Sequence, residues 1–320
     1  MSVSTDGFGT LFKTVDTGSS SAVYYGSGMD GEMSLSEGVV NMTRPIEAVT
    51  FVANSMVLFG VNGSPLYVDI SATESITITN TTLCNTGVEG LGGGSGSNGG
   101  EGGLGGSGGS AGIDGADGQI NDGSSAADGA LTSYATNPVI PNGGGGGNGG
   151  EGTGGTGSSD TGSTSVLVSL LSAFRTENFP AAPGGGGGGG GGGSGGNSAG
   201  GGGGGGGSGG IIVLRSPSIT IDSSNIDVSG GIGGAGSNSP TEPDVDCGGG
   251  GGGGGGTGGI FLLICEDLTI TSSDISYSGG EGVGGGAGTG AGSGGEASTF
   301  GNIGIFYHYQ PSTNTWSNLD

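Results

Sequence analysis

Positive charge is almost missing from this chain. Its 320 residues include 4 lysines and arginines against 28 aspartates and glutamates, a net charge of −24. The cations Lys13, Arg44, Arg175 and Arg215 are scattered and form no basic patch, which excludes nucleic-acid binding through phosphate contacts. Aromatic residues make up 5% of the chain and charged residues 10%, the latter far below the roughly 25% of an ordinary domain. With 10 prolines and no strict Gly-X-Y period, a collagen triple helix is excluded. The longest apolar runs, Ile211–Leu214 and Ile260–Cys265, fall well short of the ~20 residues a membrane-spanning helix needs. The opening Met1-Ser-Val-Ser-Thr-Asp-Gly7 lacks both the charged and the apolar region of a secretion signal. The expectation is a soluble chain made in a cytoplasm. Cys84, Cys247 and Cys265 share no C-x-x-C spacing. A Cys247–Cys265 disulfide is one option; the odd count and missing signal favour free thiols.

What the chain has instead is glycine, 91 residues of it. Each interior glycine costs a helix about 1 kcal/mol relative to alanine, so a helical protein is excluded. Residues 1–90 are comparatively poor in Gly–Gly pairs and hold strand-like segments at Ala22–Tyr25, Val49–Val52, Met56–Val61, Leu66–Ile70 and Ser75–Thr79. Turn signals at Asp6-Gly7, Asp30-Gly31 and Asn62-Gly-Ser-Pro65 separate them. From residue 91 glycine comes in runs, at Gly143–Gly147, Gly184–Gly193, Gly200–Gly207 and Gly248–Gly256. The expected organisation is a β-rich attachment domain over 1–90 and a glycine-rich domain over 91–320.

Internal repetition gives those runs a context. Ile76–Gly87, Ile219–Gly230 and Leu268–Gly279 align without a gap, and each is followed by a glycine-rich block. Apolar residues fall at the first, third and eighth positions, with Asn, Asp, Ser and Thr between them. This pattern predicts a strand with one inward face, a polar turn and a second short strand. Stacked units of this kind build a parallel β-helix. The glycine runs then have two readings. One is a flexible linker. The other is a bundle of polyglycine-II helices, extended threefold helices without internal hydrogen bonds whose N–H and C=O groups must pair with neighbouring chains. Near-pure glycine, recurring at one point of the repeat and leading directly into apolar strands, favours the bundle. The predicted fold class is all-β with almost no α-helix, a glycine-rich parallel β-helix carrying polyglycine-II helices.

Glycine blocks alternating with variable segments behind a β-rich N-terminal region resemble the receptor-recognising adhesins on the long tail fibres of T-even-like phages. The resemblance covers about residues 90–300 and is one of pattern. It implies layered polyglycine-II helices, attachment to other virion proteins through residues 1–90, and host contact through the loops between glycine blocks. The Ile-Thr-Ile strands depart from that pattern and are similar to glycine-rich structural proteins of other tailed viruses.

Catalytic signatures are scarce. No HExxH or GxxxxGK[ST] occurs, and the lone His308 sits in the strand-like Ile305-Phe-Tyr-His-Tyr309, where a structural role is expected. The chain is expected not to be an enzyme; a glycan-depolymerising tailspike would need paired carboxylates in a groove. Asp114, Asp117 and Asp122 share one turn-rich stretch and form a weak calcium candidate, without EF-hand spacing. No other cofactor is indicated. The candidate receptor contacts are Tyr134, Asn137, Phe174, Arg175 and Phe179 in the non-glycine loops. The expected function is a virion-surface fibre or spike protein that binds a host glycan or protein, with no nucleic-acid partner and no membrane insertion; a homo-oligomer is compatible. The acidic surface suits a high-salt host. The alternatives are a structural turret, decoration or fibre protein without a receptor, and an ice-binding protein.

Overall fold

The computed structural model describes residues 25–42, 44–60, 67–96, 199–239, 246–290, 294–313 and 315–319. These residues form strands and extended segments and no helix, as the glycine content requires. The all-β expectation holds for them.

In chain order the strands are β1 (Glu32–Met42), β2 (Ile46–Gly60), β3 (Tyr67–Thr79), β4 (Thr82–Cys84), β5 (Ser95–Gly96), β6 (Ala199–Gly200), β7 (Ile211–Arg215), β8 (Ser218–Asp222), β9 (Asn225–Asp227), β10 (Ile260–Ile264), β11 (Asp267–Thr271), β12 (Asp274–Ser276), β13 (Ile305–Gln310) and β14 (Thr315–Asn318). Twelve of them make one curled, mixed sheet, parallel throughout except where β14 runs back along β13. The sheet continues across residue 90, since β3 pairs with both β7 and β8.

The three aligned repeats lie side by side. Ile76 pairs with Ile219 and Ile219 with Leu268, while Leu83 pairs with Ile226 and Ile226 with Ile275. Two further levels precede them, so inward side chains form continuous columns. One reads Met33, Phe51, Ile76, Ile219, Leu268; another Leu35, Ala53, Ile78, Ile221, Ile270. These columns are the hydrophobic core. β7 and β10 are buried on both faces, as their unbroken apolar runs demand. We call each strand set with its glycine segments a tier: β3–β4, β7–β9, β10–β12 and the partial fourth, β13.

β1, β2 and the first three tiers each turn a corner through a left-handed residue. Glu37, Ser55, Asn80, Ser223 and Ser272 have φ of 61°, 56°, 48°, 49° and 49° and occupy equivalent register positions. At the last three corners the following residue, Thr81, Ser224 or Ser273, locks the turn with its hydroxyl. Ser224 Oγ donates to the Asp222 carbonyl at 2.8 Å and accepts the Thr81 amide of the previous tier at 3.2 Å. Ser273 repeats this, donating to Thr271 O at 2.8 Å and accepting the Ser224 amide at 3.2 Å.

The glycine segments 85–96, 199–210, 228–239, 246–259, 277–290 and 294–304 connect the tiers and are bonded to one another with a period of three. Gly203, Gly206 and Gly209 donate to Gly251, Gly254 and Thr257 of the next tier. Gly204, Gly207 and Gly210 donate to Leu91, Val88 and Asn85, an antiparallel neighbour. Gly200–Gly207 and Gly248–Gly256 are buried along their whole length. Close approach is what requires glycine here: a Cβ on Gly206 would stand 2.0 Å from the Gly231 carbonyl oxygen, and one on Gly253 2.1 Å from that of Gly204. The runs Gly143–Gly147 and Gly184–Gly193 lie outside the described residues.

Candidate functional site

The buried polar chemistry is structural in character. Arg215 stands diagonally across from Asp69 on the neighbouring strand, with Nε 3.1 Å from Oδ1 and Nη2 2.9 Å from Oδ2. Both side chains are almost fully buried. Burial pushes the Asp69 carboxyl up, and the Arg215 guanidinium pulls it back in part. Arg44, exposed, forks onto Asp30 at 2.8 and 3.0 Å and holds that carboxyl below its ordinary value. Both cations of the described residues are therefore paired.

His308 Nε2 lies 3.0 Å from the Cys265 carbonyl oxygen, so this nitrogen carries the proton and donates it; Cys265 Sγ is 3.3 Å away. Burial, with Asp267 and Glu266 nearby, pushes the Cys265 thiol up to about 12. It is therefore a neutral thiol at ordinary pH rather than a nucleophilic thiolate. All three cysteines are free, so the Cys247–Cys265 disulfide option is not realised. Among the described residues no three His, Cys, Asp or Glu side chains gather as a metal site would require.

Two surfaces stand out. The first is the edge where the glycine segments end, about ten residues from the strands and hence roughly 30 Å away at about 3.1 Å per extended residue. Ser95 and Gly96 pair with Gly200 and Ala199, so residues 97–198 leave and return at one point. The connections 240–245 and 291–293 emerge beside it. Ser239 Oγ is 3.2 Å from the Cys247 carbonyl and 3.1 Å from Thr289 Oγ1, and Gly200 donates to Gly248. Tyr134, Asn137, Phe174, Arg175 and Phe179, and the candidate calcium ligands Asp114, Asp117 and Asp122, all belong to this largest connection. Their placement lies outside the described residues.

The second surface was not anticipated. The fourth tier has a glycine segment and β13, but the chain then turns back through β14. The outer edges of β11 and β12 pair with no strand among the described residues. Leu268, Ile270, Ile275, Tyr277, Phe306 and Leu319 line an open groove of about 470 Å³ there. Phe306 stacks on Phe261 with ring centres 5.1 Å apart and tilts against Tyr277 at 6.0 Å. On the glycine segment bonded to Gly280 and Tyr277, Phe300 is 65% and Ile303 62% exposed. The signal that could have found this end is the three-residue spacing of Ala297, Phe300 and Ile303 within a glycine segment.

No protein family matches the chain, and no characterised protein or solved structure is found similar to it.

Proposed function

We propose that this chain is a virion surface protein, a tail-fibre or spike component of a tailed virus, whose tiers form a parallel β-helix braced by polyglycine-II helices and whose connections bind a host receptor. The carrying observation is that the connections 97–198, 240–245 and 291–293 all leave at the one edge of the glycine layers far from the strands. A stiff scaffold with its connecting segments gathered at one rim suits display, because loops held by a rigid frame lose less entropy on binding. On this reading Tyr134, Asn137, Phe174, Arg175 and Phe179 supply contacts, and other virion proteins hold residues 1–90. The test is binding of the purified chain to a glycan array and to whole cells, with and without residues 113–141. Loss of binding with unchanged circular dichroism is expected; binding that survives the deletion would remove that loop from the reading.

A structural fibre or decoration role without a receptor is favoured by the open end of the stack, which invites an assembly partner. The ice-binding alternative needs a regular hydroxyl face. The outward column Thr77, Thr220, Thr269 begins one, but Asp222 and Asp267 interrupt the columns on either side. An ice-recrystallisation assay decides it.

A further inference from the structure

From the open end of the stack we infer a docking site for an extended segment of a partner protein, apolar at alternate residues and carrying lysine or arginine opposite Asp267 and Asp274. The inference concerns assembly and stands whether or not the chain binds a receptor.

The site is a tier half built. Among the described residues β11 pairs with β8 and β12 with β9 on one side only. The core columns end there at Leu268, Ile270 and Ile275, which are partly buried where their counterparts Ile219, Ile221 and Ile226 are fully buried. The glycine layers stop in the same way. Gly252, Gly255 and Gly258 of the third tier leave room for that tier's own outgoing segment, since a Cβ on them would stand 1.9, 2.0 and 1.9 Å from the Val283, Gly280 and Tyr277 carbonyl oxygens. The register that pairs Ile260 with Ile305 puts Ala297, Phe300 and Ile303 in the equivalent positions of the fourth tier, and there side chains replace glycine. Everything the fourth tier lacks would thus lie along one continuous surface, from Leu268 past Tyr277 to Phe300.

Charge selects the occupant. In the column ending at Asp267 the adjoining tiers carry Ser218 and Ser75; in the column ending at Asp274 they carry Asn225 and Thr82. The carboxylates therefore stand at the free edge, where charge refuses or selects an incoming strand. A second copy stacked in register would bring Glu32 of β1 against Asp267 and add its own net charge of −24. A cationic strand meets the same positions with attraction. Strand addition to a sheet edge takes its affinity from backbone bonds and its selectivity from alternate side chains.

The test uses the full chain and two labelled peptides. One has the chain's own Ser218–Ser229 sequence, and the other carries Ser218→Lys and Asn225→Lys, the positions that would face Asp267 and Asp274. Fluorescence anisotropy at low salt is expected to show the lysine peptide binding about tenfold more tightly, as two opposite-charge cross-strand pairs allow. That preference should vanish in the Asp267→Asn/Asp274→Asn chain, whose exposed changes leave circular dichroism and melting unaltered. Equal binding of the two peptides, no binding of either, or a preference that survives in the variant would each overturn the proposal. So would sedimentation showing oligomers of the chain alone that the peptide dissolves, because a second copy would then own the groove.

Discussion

At the scale of single residues, the glycines of the bonded layers are there for room rather than for unusual backbone angles. The described glycines with left-handed φ are Gly26, Gly28, Gly31, Gly38 and Gly290, and none belongs to the buried runs. Gly253→Ala would drive a methyl into the Gly204 carbonyl 2.1 Å away, a backbone atom that cannot swing aside. We expect a loss of about 3 kcal/mol or more, read from chemical denaturation. Gly284→Ala meets nothing within 4 Å and should be neutral or stabilising by up to about 1 kcal/mol. The Asp69–Arg215 pair gives a second contrast. Arg215→Met strands a buried carboxylate and should cost about 3–5 kcal/mol, whereas adding Asp69→Leu should restore much of that loss. Cys265 sets a pH dependence: its folded thiol titrates at about 12 against 9.0 when free. Its contribution is complete below pH 9 and disappears as pH rises towards 12, because the unfolded chain loses that proton first. Denaturation midpoints across pH 8–11 should fall less steeply in Cys265→Ala.

At the scale of elements, the corner between strands carries the repeat. Ser224 satisfies two backbone groups in two tiers, so Ser224→Ala leaves the Thr81 amide without its acceptor and should lower stability by about 1–3 kcal/mol. Ser223→Val should also destabilise, since a β-branched side chain tolerates left-handed φ poorly. Much at this scale was legible beforehand. β7 and β10 were marked by apolar runs after glycine and β13 by a strand-like run of aromatics, and the apolar positions of the three aligned repeats became the core columns because identical spacing lets them stack. The expected segments Val49–Val52 and Met56–Val61 fall, as far as Gly60, in one strand, β2, bent at Ser55, and Leu66–Ile70 and Ser75–Thr79 fall, from Tyr67 on, in the two halves of β3; Val61 and Leu66 lie outside the described residues. β1 escaped notice because its alternation breaks at Glu37 and Gly38, where the chain turns through positive φ. The pairing of Ile70 with Leu214 was beyond reach, since it joins residues far apart in sequence with nothing local to mark the partner. The open groove was hidden for a related reason: it is defined by strands the fourth tier does not make.

At the scale of the whole molecule, parallel tiers and glycine layers support one another. An isolated glycine strand gains too little from its hydrogen bonds, about 1 kcal/mol each, to offset the entropy of ordering it. Here the segments are pinned at one end by apolar strands and on their sides by neighbouring segments. The net charge of −24 acts against this compaction at low ionic strength. Melting temperature should accordingly rise from 0.1 to 1 M salt as the Debye length shrinks from about 10 to about 3 Å; a salt-independent midpoint would mean that surface repulsion contributes little. The most direct test of the scaffold is amide hydrogen exchange at single-residue resolution. The bonded amides of Gly203, Gly206 and Gly209, and of Gly204, Gly207 and Gly210, are predicted to exchange at least about a thousandfold more slowly than in an unstructured glycine peptide, as befits groups that open only with the fold. Exchange of all six at the unstructured rate would show the glycine runs to be linker and would contradict the account.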